Sequence, residues 1–233
     1  MIRRLKADVL TELPPKRRQL LTLPIAGYSA ALAAEAAMQT GVDADLEELE
    51  LTRDLAEVTG DTETYDAAAR ELNSRRLVAF EEMSEARHMT AVAKAPAVAD
   101  HVAEALESVD KIVVMAHHHD VVDILTEALA EYGVVSLTGR DGMAARQDAV
   151  DRFQTDPSVR VFVGSIQAAG VGLTLTAAST VVFAELDWVP GNMSQAEDRC
   201  HRIGQTDSVL VQHVVLDGSI DARLAQTLIE KQE

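Results

Sequence analysis

The chain has 233 residues, with 21 lysines and arginines against 38 aspartates and glutamates, a formal net charge of −17. That length buries one full core, or one core with a helical appendage, and excludes two large domains. The negative balance excludes a surface that coats nucleic acid nonspecifically, so any DNA contact has to be local.

A single cysteine, Cys200, excludes an intrachain disulfide framework. No apolar run approaches the roughly 20 residues that span a bilayer. The basic start MIRRLKADVL lacks the long apolar stretch of a signal peptide. The expectation is a soluble, cytoplasmic protein with no membrane partner.

In chain order, residues 1–23 hold the one dense basic cluster, Arg3, Arg4, Lys6, Lys16, Arg17 and Arg18, whereas residues 35–66 carry an acidic excess. A basic run is either a solvated face or a local DNA contact. Residues 26–106 are rich in alanine, leucine, glutamate and arginine, a helix-favouring composition. They predict a helical arm, drawn as residues 24–93, with the lobe over 94–233. Breaks are expected at Gly41–Val42–Asp43 and Gly60–Asp61, and Pro96 is expected to open the last helix at its first turn.

After residue 110 apolar runs alternate with amphipathic stretches, which is a βαβ signature. Strands are predicted at 112–115, 134–137, 159–163, 181–183 and 209–216, and helices at 120–132, 143–154, 192–203 and 219–231. The fold class is therefore α/β, a parallel sheet covered by helices on both faces and preceded by a mostly helical arm.

Gln195, Arg199 and Arg202 in QAEDRCHRIGQ stand at i, i+4 and i+7, so a helix starting near Asn192 aligns them on one face. Asn192 with Gln195 reads as a capping box, and Gly204 as the stop. Arginines in this arrangement suit a polyphosphate; the alternative is a solvated helix whose arginines pair with Glu197 and Asp198. His117, His118 and His119, with His201, invite a zinc site. Adjacent histidines on an extended segment point to opposite sides and no paired cysteines accompany them, so no metal site is assigned.

The segment QAEDRCHRIGQ resembles motif VI of superfamily 2 helicases, in the spelling of Swi/Snf-type DNA translocases. The resemblance extends in order along the chain. LKADVLTELPPK (5–16) is similar to the junction between the two motor lobes, KIVVMAHHHD (111–120) to motif IV, and SIQAAGVGLTL (165–175) to motif V. VFAELDWVP (182–190) resembles the stretch between motifs V and VI. AHH, SIQAAG and FAEL lean toward the annealing-helicase and fork-remodelling subgroup and its bacterial or phage relatives. Ile166 and Gln167 depart from the Thr-Arg that general remodellers place after the motif V serine.

The resemblance implies a RecA-like second lobe. Arg199 and Arg202 would act on ATP, with Gln195, Asp198, Gly170, Val171 and Gly172 near the nucleotide. Thr138, Gly139, Arg140, Ser165, Gln167 and Trp188 would face DNA, although Trp188 reads equally as core packing. No G-K-S/T phosphate loop and no acidic metal-binding motif occur in the sequence, so ATP and Mg²⁺ are expected to sit mainly on a first RecA-like lobe, in cis or as a separate chain. Double-stranded or forked DNA is the expected partner, and the isolated chain is expected to be inactive. The alternative is a noncatalytic DNA-binding or assembly module. A free-standing nucleotide-binding protein is disfavoured because no G-x-G-x-x-G follows a first strand.

Overall fold

The computed structural model describes residues 13–24, 26–169 and 172–230. Arg3, Arg4, Lys6 and most of the expected junction lie outside them.

The lobe is one six-stranded sheet, all parallel: β1 (Lys16–Leu23), β2 (Ile112–Ala116), β3 (Val134–Leu137), β4 (Val161–Ser165), β5 (Thr180–Phe183) and β6 (Val209–Leu216). The spatial order is β1-β6-β5-β2-β4-β3. β2, β4 and β5 are buried along their whole length. Their uninterrupted apolar runs are what a parallel sheet covered on both faces requires. β1 was not among the expected strands. Its sequence KRRQLLTL alternates in burial and sits at the sheet edge, where Arg17 is exposed and Lys16 and Arg18 are half-buried.

One core layer joins Val113, Met115, Phe162, Phe183 and Val211 to the helices α4 (Met143–Thr155), α6 (Pro190–Glu197) and α7 (Ile220–Glu230). The other joins Ile112, Val114, Val163 and Val182 to α3 (His119–Ala128) and to the last turns of α2 (Thr62–Ala105). A short helix, α5 (Ile166–Ala169), follows β4.

The arm is a hairpin of α1 (Ser29–Thr59) and α2, turned at Gly60 (φ +74°), with Asp61 accepting the Thr64 N–H as N-cap. Two expected breaks are absent. Gly41 lies inside α1, where the adjacent Val42 is buried, so hairpin packing overrides the glycine cost. Pro96 lies inside α2 rather than at a helix start. Its ring faces solvent, where water can take the carbonyl left without a donor, while Ala95, Val98, Ala99 and Val102 are buried. α2 therefore runs unbroken through residues 93 and 94. Among the described residues no helix is long and apolar enough to cross a membrane.

Candidate functional site

The carboxyl ends of β2, β3 and β4 open into a hollow of about 290 Å³ lined by His117, His118, His119, Gly139, Ser165, Gln167 and Ala168. This is the border where open parallel sheets hold ligands. Gly139, Ser165 and Gln167 meet here although 26 to 28 residues separate the first from the others in sequence. The Ser165 Oγ accepts the Ala168 N–H and so caps α5. Arg140 stands exposed beside it, donating from Nε to His119 Nδ1 at 3.0 Å. Thr138 is buried and used within its own turn. Its N–H and hydroxyl both donate to Asp141 Oδ2, at 2.6 and 3.1 Å, and its hydroxyl accepts the Arg140 N–H.

The three histidines have separate partners. Glu185, just past β5, is 4% exposed and accepts from the His117 and His118 amides at 2.7 and 2.8 Å and from His118 Nδ1 at 2.6 Å. Burial pushes this carboxyl up, but the His118 side chain and the two amides outweigh burial and hold it below the usual carboxylate range. The hydrogen bond to Glu185 raises His118. Burial, then the neighbouring His118, lowers His117, whose Nδ1 lies 3.7 Å from Asp187. His118 also stacks on His88 of α2, centroids 4.1 Å apart.

Trp188 does not line the hollow. Its ring carries the Arg87 guanidinium at 4.1 Å and packs on Phe80 at 5.3 Å, which joins the arm to the lobe. Arg87 is itself buried, donating to Asp221 Oδ1 at 2.6 Å and to the Leu186 carbonyl at 2.7 Å. Lys94 donates to the Val214 carbonyl at 2.7 Å and lies 3.6 Å from Asp221. Glu35 of α1 accepts the Ile220 N–H at the start of α7. None of Arg87, Lys94, Glu185 or Asp221 was singled out from sequence. The available signal was a lysine set among Ala91, Ala95 and Val98 on one helix stripe, and a glutamate ending a β-branched run.

The arginine segment differs from its expectation. α6 starts at Pro190, without a side-chain cap, and ends at Glu197. Asn192 donates to Asp187 instead of forming a capping box. Arg199 and Arg202 therefore lie in turns beyond the helix rather than on its face. Gln195 is exposed on α6, and Asp198 is its C-cap, 3.5 Å from Lys16.

The turn is set by tertiary bonds. The Arg199 carbonyl accepts the Leu175 N–H at 2.9 Å, Gly204 takes φ +102°, and the Gln205 amide donates to the carbonyls of Ala178 and Cys200. Arg202 Nη1 lies 3.3 Å from the Leu173 carbonyl. Gly172, with φ +66°, adjoins that stretch, while Gly170 and Val171 lie outside the described residues. Burial, then the Arg202 charge, lowers the Arg199 pKa, against Asp198. Residues 173–178 lead into the amino end of β5, so the arginines sit apart from the hollow at the carboxyl ends.

Residues 94–204 match the family model for the helicase conserved C-terminal domain. Residues 94–204 are a helicase C-terminal domain, and the relatives that the chain matches include SWI/SNF-related proteins. It is 37% identical over 95% of its length to a Caenorhabditis elegans SWI/SNF-related matrix-associated actin-dependent regulator of chromatin subfamily A-like protein 1 homolog, covering 29% of that protein. It is 39% identical over 95% of its length to the Bos taurus DNA annealing helicase and endonuclease ZRANB3, covering 19% of it. The chain thus spans less than a third of either relative.

The helicase lobe superposes on the Sulfolobus solfataricus SWI2/SNF2 ATPase C-terminal domain with TM-score 0.60 at 19% identity, covering 94% of this chain and 87% of that one. It also superposes on that organism's SWI2/SNF2 ATPase core in complex with dsDNA, with TM-score 0.62 at 21% identity, covering 94% of this chain and 44% of that one. The fold is the RecA-like C-terminal lobe of Snf2 ATPases, with an N-terminal helical region.

Proposed function

We propose that this helicase lobe is the second motor lobe of an ATP-dependent DNA translocase, working with a first RecA-like lobe in cis or as a separate chain. Arg199 and Arg202 would meet the ATP phosphates that the first lobe holds with Mg²⁺. The observation that carries the reading is the mutual placement of these two guanidiniums. The Arg202 charge disfavours that of Arg199, and the motif V stretch holds both: the Leu175 N–H donates to the Arg199 carbonyl and the Leu173 carbonyl accepts Arg202 Nη1. A polyanion relieves that repulsion, so the residues present fit the phosphates of ATP. ATP with its metal supplies the transferable phosphoryl group; this chain's part is to stabilise the charge that develops on it. An arginine finger is typically worth about 10³ to 10⁵ in rate, roughly 4 to 7 kcal/mol of barrier.

In this reading the hollow bounded by Gly139, Ser165 and Gln167 takes the phosphate backbone of DNA, with the cation of Arg140 beside it and His118 adding charge when protonated. The dsDNA complex of the structurally similar ATPase core supports a duplex partner. The contacts of Trp188 with Arg87 and Phe80 favour anchoring of the arm over DNA contact for that ring. Lobe closure would then move the hollow along one strand, coupling turnover to translocation.

The test is steady-state ATP hydrolysis with duplex DNA, by the chain alone and by the chain combined with its first lobe. No turnover is expected from the chain alone, and Arg202→Ala in the combined motor is expected to remove turnover while sparing DNA affinity. DNA-stimulated hydrolysis that survives Arg202→Ala would overturn the reading.

A further inference from the structure

Glu197 ends α6 two residues before Arg199, and its side chain is 2% exposed. One oxygen accepts Lys16 Nζ at 2.7 Å and Arg18 Nη2 at 2.6 Å; the other accepts Arg18 Nε at 2.9 Å. Its backbone carbonyl accepts the Cys200 and His201 amides, both at 3.1 Å, and so shapes the turn that carries the arginines. Next to it, His201 Nε2 donates to the Pro14 carbonyl at 2.7 Å, and the Val209 N–H donates to the Pro15 carbonyl at 3.0 Å. Two elements about 180 residues apart in sequence, the start of β1 and the arginine turn, are thereby joined by four side-chain hydrogen bonds, and the Val209 bond ties the same start of β1 to β6. Burial pushes the Glu197 carboxyl up, but Arg18 and Lys16 outweigh it and keep it ionised.

We infer that Glu197 is a positioning residue for Arg199 and Arg202: it fastens the arginine turn to β1, so the strand by which the chain enters the lobe and the arginines move as one piece. The inference rests on the motor reading above. A carboxylate fits this task because a fork from Arg18 and a point charge from Lys16 fix its plane, whereas apolar packing lacks direction. A turn displaced by about 1 Å loses on the order of 10²-fold in rate when its group must meet a reacting centre.

The experiment measures kcat and KM for ATP in the motor assembled from both lobes, alongside melting temperature and DNA affinity. It compares the wild type, Glu197→Gln, Glu197→Asp and the apolar triple variant Lys16→Met, Arg18→Met, Glu197→Met. Glu197→Gln and the triple variant are expected to lower kcat by about 10- to 100-fold, with KM within about threefold and DNA affinity unchanged. Glu197→Asp should recover part of kcat.

A merely structural role predicts that the triple variant, which leaves no buried charge unpaired, regains both melting temperature and kcat. That result overturns the inference. If the triple variant fails to fold, Glu197→Asp decides, since wild-type kcat from the shortened carboxylate also overturns it. Arg202→Ala, run in parallel, separates the two ideas: if it retains turnover the motor reading falls, whereas turnover lost in Arg202→Ala but kept in the Glu197 variants removes the positioning role alone.

Discussion

Two sets of residues on the buried stripe of α2 meet the lobe by opposite physics. From Ala91 onward the helix enters an apolar layer with Val98, Val102, Ile112 and Val163, all fully buried or nearly so. Within the same stripe, Arg87, one turn before Ala91, and Lys94, among the apolar residues, enter a buried polar seam with Asp221 and the carbonyls of Leu186 and Val214. Apolar burial is non-directional and tolerates sliding, whereas buried ions cost several kcal/mol each unless every partner is in place. The core therefore supplies stability to the lobe, and the seam fixes the single angle at which the arm leaves it.

Breaking each region should look different. Phe162→Ala, which empties a fully buried site packed edge-on against Phe153 at 5.5 Å, should cost about 3–5 kcal/mol. Its melting temperature should fall by roughly 10 °C or more, with little dependence on pH or salt. Asp221→Ala leaves Arg87 and Lys94 uncompensated and should cost a comparable 3–5 kcal/mol or so.

The contrast sharpens when Arg87→Met, Lys94→Met and Asp221→Leu are combined. Chemical denaturation should then find stability within about 2 kcal/mol of the wild type, or above it, while the arm loses its fixed angle in scattering or distance measurements. A combined variant as unstable as Asp221→Ala alone would show that the seam stabilises as the core does.

A smaller effect belongs to His118 and Glu185. The folded pKa of His118 is raised, so its contribution is complete below the ordinary histidine value of about 6.5 and is lost as pH rises through the raised one. That of Glu185 is depressed, so its contribution is complete above about 4.3 and is lost as pH falls through the lower value. The pair should stabilise most between these limits, by under about 1 kcal/mol because His118 is partly solvated. Melting curves of the wild type and His118→Gln should converge above neutral pH; a constant difference would remove the charge from the account. Smallest of all, Gly41→Ala should stabilise α1 by about 0.5–1 kcal/mol, since an added Cβ there meets nothing within 4 Å.

What could be read from the sequence follows the same division. Strands 134–137 and 209–216 match the expected bounds, and those at 112 and 181 match within a residue, because continuous β-branched runs report burial directly. β4 was expected from Val159. Val159 is buried, but its N–H bonds within a turn to Asp156, and the ladder begins at Val161 and runs on through Gly164 and Ser165.

The arginine segment shows the limit most clearly. Its i, i+4, i+7 spacing is a helical pattern, yet the Arg199 carbonyl is taken by Leu175, a tertiary partner that local spacing does not encode. Gly139, Ser165 and Gln167 were named from the sequence one by one but not as the lining of a cavity, since its assembly depends on Glu185 drawing the His117–His118 backbone to the end of β5. β1 was missed because an edge strand with three basic residues carries half the usual apolar signal.

The length of α2 has a mechanical meaning. It is one rod of 44 residues whose root is gripped by the sheet from Ala91. Its first residue, Thr62, lies 29 residues before that root, about 43 Å at 1.5 Å per residue. A tilt of about 5° at the root sweeps the far end through roughly 4 Å over that length. Because Arg87 of the seam carries Trp188 and the next residue, His88, stacks on His118 of the hollow, a sub-ångström adjustment at the hollow becomes a displacement large enough for a label at the hairpin tip to register.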